Sequence, residues 1–109
     1  MVTIEQQNVY GGQGIVQFTL YPNDVVPPFT QVQLCVIQSR GSIGRHCTPK
    51  LNRLFIGILG EGILRVDDID ILFSANVVQS VSHTQTIEVL NKSTDTEISF
   101  WIIQARVNT

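Results

Sequence analysis

The chain has 109 residues, enough for one domain that buries a real core without disulfides or metals to hold it. Hydrophobic residues make up 43%, charged residues 15%, and the formal net charge is -2. This balance excludes a strong electrostatic case for nucleic acid, and the sparse charge implies that a partner covers some apolar surface.

The opening Met1-Val-Thr-Ile-Glu-Gln-Gln-Asn lacks a basic segment followed by an apolar run, so it does not read as a signal peptide. No apolar stretch approaches the roughly 20 residues that span a bilayer. The longest, Leu54 to Leu64, is interrupted by Gly57, Gly60, Glu61 and Gly62. The expectation is a cytoplasmic protein with neither a membrane nor a nucleic-acid partner.

Helical periodicity is nearly absent, and the apolar residues alternate or form short runs bounded by Gly, Pro, Asn and Asp. Gly11-Gly-Gln-Gly14 reads as a loop. Val16, Phe18 and Leu20 then alternate with Gln17 and Thr19. Pro22-Asn-Asp24 and Pro27-Pro28 frame an irregular connection, because proline cannot donate to a central ladder. Val32, Leu34 and Val36 alternate with Gln31, Gln33 and Cys35. Five further apolar segments follow: Arg53–Leu59, Ile63–Val66, Ile69–Phe73, Val77–Val81 and Thr86–Leu90. Ile98–Ile103 closes the series, and Val, Ile, Thr and Phe dominate throughout, as strands prefer. Tight turns are expected at Gly60-Glu-Gly62, Asp67-Asp68 and Asn91–Asp95. About nine short strands at near-regular spacing predict an all-β domain over 1–109, a small barrel or a double-stranded jelly roll.

Two pieces of the chain resemble a cupin. The first is Arg53-Leu-Phe-Ile-Gly-Ile-Leu-Gly-Glu-Gly-Ile-Leu-Arg-Val-Asp-Asp68, similar to the strand, Gly-x-Gly turn, strand and acidic turn of the first cupin motif. The second runs through Ile71–Val78, Thr86–Ser93 and Phe100–Ile103 and resembles the second motif, with its Asn before a turn and its apolar closing strand. The resemblance implies a small cupin-like barrel of antiparallel strands. It also implies where metal ligands would stand. His46 falls at the first histidine of the family pattern, Thr48 at the second and Arg53 at the glutamate. The third histidine position falls on Ile87, or on Thr86 if one residue is inserted. A divalent metal needs three or four convergent N or O donors, and an arginine in the carboxylate's place repels a cation. The expectation is therefore no metal and no cofactor.

His46 and His83 are the only histidines, and both are expected near one barrel mouth, where two imidazoles can act as acid and base near neutral pH. Each has a plain alternative as a surface or structural side chain. Arg53, if it faces inward, can hold a carboxylate or phosphate by a forked contact. Thr48, Phe55 and Thr86 complete the candidate ligand site. Arg40 and Arg45 flank Gly41-Ser-Ile-Gly44 and read as rim residues or plain surface charge. Cys47 adjoins His46, but adjacent strand residues point to opposite faces, which argues against a shared site. Cys35 reads as packing, and the two cysteines as reduced thiols, with a single bridge as the alternative. Trp101 and Phe73 are expected in the core or in a pocket lining.

Three functions follow from this reading. The first is a metal-free cupin-like domain that binds a small organic, possibly anionic, molecule, or transforms it by acid–base chemistry. The second is a non-catalytic ligand sensor or assembly module acting as a homodimer. The third is a metal enzyme with a rearranged site using His46, His83 and an acid or thiol.

Overall fold

The computed structural model describes residues 2–21 and 26–107; the Pro22-Asn-Asp24 part of the expected connection lies outside them. Among the described residues, ten strands form two antiparallel sheets. The larger sheet has the order β1 (Val2–Gln7), β2 (Ile15–Tyr21), β3 (Phe29–Ile37), β10 (Ile98–Arg106), β5 (Leu51–Leu59) and β8 (Val78–Val81). The smaller has the order β4 (Ser42–His46), β9 (Ile87–Leu90), β6 (Gly62–Val66) and β7 (Ile69–Phe73). Among the described residues, the one helical element is a single 3-10 turn at Val9–Gly11. This is the expected all-β architecture, realised as a two-sheet jelly roll.

Strand alternation decides what each sheet buries. On the larger sheet Val16, Cys35, Ile37, Phe55, Phe100 and Ile98 point inward, and each is nearly or completely out of water. Leu64, Val66, Ile87 and Val89 answer them from the smaller sheet. Phe55, Phe73 and Phe100 form the aromatic centre, with Phe73 and Phe100 in an edge-on contact at 5.2 Å between centroids. Trp101 belongs to neither core nor pocket. It sits on the outer face of the larger sheet, partly exposed, beside Tyr21 at 5.7 Å. One residue of phase separates it from Phe100 and Ile102, and that is enough to turn it outward.

Two turns behave differently from one another. Asp67 and Asp68 both have positive φ (48° and 68°) and join β6 to β7 as a true hairpin, the geometry that suits the twist of paired strands. Gly60-Glu61-Gly62 was expected to close a hairpin between β5 and β6, yet these strands do not pair and lie in different sheets. The segment is instead a crossover between sheets. Gly60 has φ +81°, and a Cβ there would stand 2.5 Å from the Glu97 carbonyl oxygen, so only glycine fits this passage. Apolar runs on either side of a glycine turn look the same whether the strands pair or part.

The return from β9 to β10 is pinned by Asn91, which is 2% exposed. Its amide donates to the carbonyls of Ile37, Gln38 and Thr96 at 2.8–3.1 Å, and its Oδ1 accepts the Ser93 N–H. A single side chain thus satisfies backbone groups that would otherwise be buried without partners.

Candidate functional site

A cavity of about 700 Å³ opens between the sheets at one end of the sandwich. Its floor is the inner face of the larger sheet, where three rows of side chains run across β3, β10 and β5. The outermost row is Gln31, Gln104 and Arg53, and the next is Gln33, Ile102 and Phe55. The third row, Cys35, Phe100 and Gly57, is already dry core. The interior therefore changes from amide and guanidinium to aromatic within three steps along each strand.

Arg53 is the centre of the site. It is 6% exposed, and no carboxylate among the described residues contacts it. Its Nη1 lies 3.0 Å from His46 Nε2, and its guanidinium carbon lies 5.3 Å from the centre of the Phe55 ring. Nε and Nη2 are buried and have no hydrogen-bond partner. These two atoms form one edge of the planar guanidinium, the edge that meets a carboxylate with two parallel N–H···O bonds. Burial pulls the Arg53 pKa below its ordinary value, but a guanidinium remains charged at any ordinary pH.

His46 is fixed on both nitrogens. Nδ1 lies 2.8 Å from the Gly44 carbonyl oxygen, which can only accept, so Nδ1 carries the proton. Nε2 then offers a lone pair, and Arg53 Nη1 donates to it. The imidazole is thereby held neutral in one tautomer. Burial lowers its pKa, the Gly44 hydrogen bond opposes that, and the Arg53 charge lowers it further. Tyr10 stacks on the imidazole at 3.7 Å between centroids and 8° between planes. The stack is set by a close backbone approach. A Cβ on Gly44 would collide with the Tyr10 carbonyl oxygen, and one on Gly12 with that of Ser42, so the 3-10 turn lies directly on β4.

Four of the six candidate residues meet in this cavity: His46, Thr48, Arg53 and Phe55 all line it. Thr48 is half-buried and donates to the Leu51 carbonyl at 3.2 Å. The other two lie elsewhere. His83 faces Asn52, with Nδ1 3.3 Å from Oδ1, and borders a separate cleft with Lys50 and Arg106. Thr86 is bound to the Asp67 carboxylate at the β6–β7 turn, its N–H 2.9 Å from Oδ1. The position opposite His46 in the β4–β9 register is Ile87, which is 1% exposed and lines the cavity. Alternation permits only one of these neighbours to face inward, and the apolar one does. The two histidines are thus not brought together as an acid–base pair.

Cys47 is exposed and Cys35 buried, both as free thiols, so neither joins the site and no bridge links them. Burial pushes the Cys35 thiol far above its ordinary pKa. Arg45 pairs with Asp68 at the surface, and Arg40 is exposed. Several cavity residues carried no signal in the motifs, among them Tyr10, Gln6, Gln31, Gln33 and Gln104. The strand phase of Cys35 and Ile37, and of Phe100 and Ile102, extended outward by two residues at a time, places Gln33, Gln31 and Gln104 on the inner face.

No protein-family model matches the sequence, and no curated protein is similar to it in sequence. Solved structures do match. A predicted oxalate decarboxylase from Thermotoga maritima superposes with a TM-score of 0.87 at 16% identity, covering 98% of this chain and 94% of that one. The cupin domain of Schizosaccharomyces pombe Cnp3 gives 0.75 at 11% identity, over 84% of this chain and 61% of that one. A cupin 2 conserved barrel domain protein from Salinispora arenicola gives 0.70 at 18% identity, over 89% and 77%. The chain therefore has the cupin fold. At these identities the likeness is one of architecture.

The cupin fold implies a metal in the barrel, and the residues here do not fit one. The His46 nitrogen that would coordinate it is occupied by a guanidinium at 3.0 Å, a cation in the place of a cation. Among the described residues no three His, Cys, Asp or Glu side chains converge. Nor is any helix among them long and apolar enough to cross a membrane.

Proposed function

We propose that this chain is a metal-free, cupin-fold binding domain for a small organic anion, with Arg53 as its anchor. The observation that carries this reading is Arg53 itself, a buried cation at the cavity with two donors left without a partner and no acidic neighbour among the described residues. Burying an unpaired charge costs several kcal/mol, and a carboxylate that displaces the side chains covering this edge would remove that cost by taking both donors. A ligand that binds only the folded state adds about 2.7 kcal/mol of stability at 100 times its dissociation constant. Thermal denaturation against a panel of small carboxylates tests the reading. Stabilisation of the wild type and its loss in Arg53→Gln is expected; a variant that responds as the wild type does would overturn it.

Binding is favoured over catalysis because His46 has no free nitrogen. Nδ1 is committed to Gly44 and Nε2 to Arg53, so it lacks a site at which to exchange a proton with a ligand. His46 serves instead to hold Arg53.

A second reading concerns assembly, and the outer face of the larger sheet supports it. Leu34, Trp101 and Ile56 form one row and Val32, Ile103 and Leu54 the next, all partly exposed. A contiguous apolar face of this kind suits a symmetric pairing of two copies, and we read the chain as a homodimer through it. Light scattering at high concentration checks this; a clean monomer mass, unchanged by Leu34→Lys, would overturn it.

A further inference from the structure

We propose that the anion bound at Arg53 is a hydroxylated monocarboxylate, a sugar acid or similar polyhydroxy acid, and that the glutamines of β3 and β10 select it. This inference rests on the anion-binding reading and narrows it.

The charge count comes first. Among the described residues the cavity lining holds one arginine and no Asp or Glu, and its one histidine is fixed as a neutral acceptor by Gly44 and Arg53. One cation offsets one carboxylate. A second carboxylate in the same cavity would be desolvated with no counter-charge.

The neighbours of Arg53 come next. In the row that crosses β3, β10 and β5, Gln104 stands directly between Gln31 and Arg53. Gln33 lies one row deeper, 8% exposed, with its Nε2 donating to Gln31 Oε1 at 2.8 Å. Gln6 reaches the same cavity from β1. These are inward-facing positions, where a sandwich with nothing to bind would carry Val, Leu or Ile. A carboxamide offers two donors and an acceptor in fixed directions. A hydroxyl is the ligand group that matches both kinds, since it donates and accepts at one atom. An alkyl chain in the same place would cover the amide groups that the Gln33–Gln31 bond does not use, at a cost of about 1–3 kcal/mol for each group so stranded.

The apolar part of the lining fits the same ligand. Phe55 and Ile102 stand on the floor and Ile87 opposite, one apolar side for the C–H face of a carbon chain. The volume of about 700 Å³ far exceeds what a carboxylate of two or three carbons fills.

The test uses four six-carbon probes on the intact chain: gluconate, hexanoate, glucarate and sorbitol, each titrated by calorimetry. Gluconate has one charge and hydroxyls, hexanoate the charge alone, glucarate a second charge and sorbitol the hydroxyls alone. Gluconate is expected to bind at least about tenfold tighter than each of the others, a difference of about 1.4 kcal/mol. The double variant Gln31→Leu with Gln104→Leu is expected to weaken gluconate and leave hexanoate unchanged or tighter. Hexanoate binding as tightly as gluconate, or glucarate binding tighter, overturns this inference and leaves the anion site standing. Binding of none of the three anions, or gluconate binding that Arg53→Gln does not change, overturns the anion site itself.

Discussion

The two ends of the interior are built on the same strands and carry opposite chemistry. Along β3 the inward residues run Gln31, Gln33, Cys35, Ile37; along β10 they run Gln104, Ile102, Phe100, Ile98 in the matching direction. β5 contributes Arg53 to the first end and Phe55 beside it. The dry end is filled by aromatic rings in mutual contact, as a sandwich core requires. The wet end leaves an open cavity lined by amides and by Arg53, whose Nε and Nη2 are buried without a hydrogen-bond partner. The difference teaches how a small domain separates stability from function. Phe100 and its neighbours supply the folding energy, so the other end is free to hold groups that cost stability.

Substitution at each end should break this comparison if it is wrong. The largest effect belongs to the dry end. Phe100→Ala removes a ring that is 0% exposed and touches Phe55 and Phe73, and should cost about 3–5 kcal/mol in urea denaturation. At the wet end the sign reverses. Arg53→Met replaces an unpaired buried charge by an apolar chain of similar length, and the unliganded protein should gain about 1–3 kcal/mol while losing its anion response. A loss of stability comparable to that of Phe100→Ala would mean that Arg53 belongs to the core. Gln104→Leu lies between these cases. It is half-buried at the cavity edge, and a stability change within about 1 kcal/mol of zero is expected in the same assay.

The strands were largely legible in the sequence, the division of the interior was not, and both outcomes have physical reasons. The runs through β2, β3 and β5 to β10 announce themselves by alternation and β-branched residues. β1 and β4 do not: Val2–Gln7 is exposed along its whole length, and Ser42–His46 carries a single large apolar residue, Ile43. The resemblance to cupins singled out His46, Thr48, Arg53 and Phe55, all of which line the cavity, because a motif names positions whatever residue fills them. It did not reach Gln31, Gln33 or Gln104. Alternation gives the period of a strand but not which face turns inward, and β3 has Val32, Leu34 and Val36 on the face opposite its glutamines. The outward apolar set has the stronger pattern, so the inward polar one passes for surface. His83 is expected near the mouth from the connection that precedes β9, and Thr86 from the third-histidine position of the cupin pattern. The chain between β8 and β9 instead packs against Asn52 and Asp67.

The smallest expected effect sharpens the comparison at one residue. His46 is neutral in the folded protein, and its pKa lies below the ordinary value of about 6.5. The groups that face it are Tyr10, the Gly44 carbonyl and Arg53, with Cys47 adjacent in the chain. At pH 8 the imidazole is neutral both folded and unfolded and contributes no pH dependence. As the pH falls through about 6.5 the unfolded chain takes up a proton that the folded one refuses, so stability declines from there down to the folded pKa. His46→Gln keeps an acceptor for Arg53 and cannot titrate, so its stability should stay level over the same interval. The Asp70 carboxyl is also lowered, chiefly by the Arg65 hydrogen bond, but its ordinary value is near 4, so its contribution is lost only in more acid solution. Denaturation midpoints measured from pH 8 to pH 5 separate the two. A decline of equal slope in wild type and variant would assign the acid sensitivity to another group and leave His46 at the wet end as packing alone.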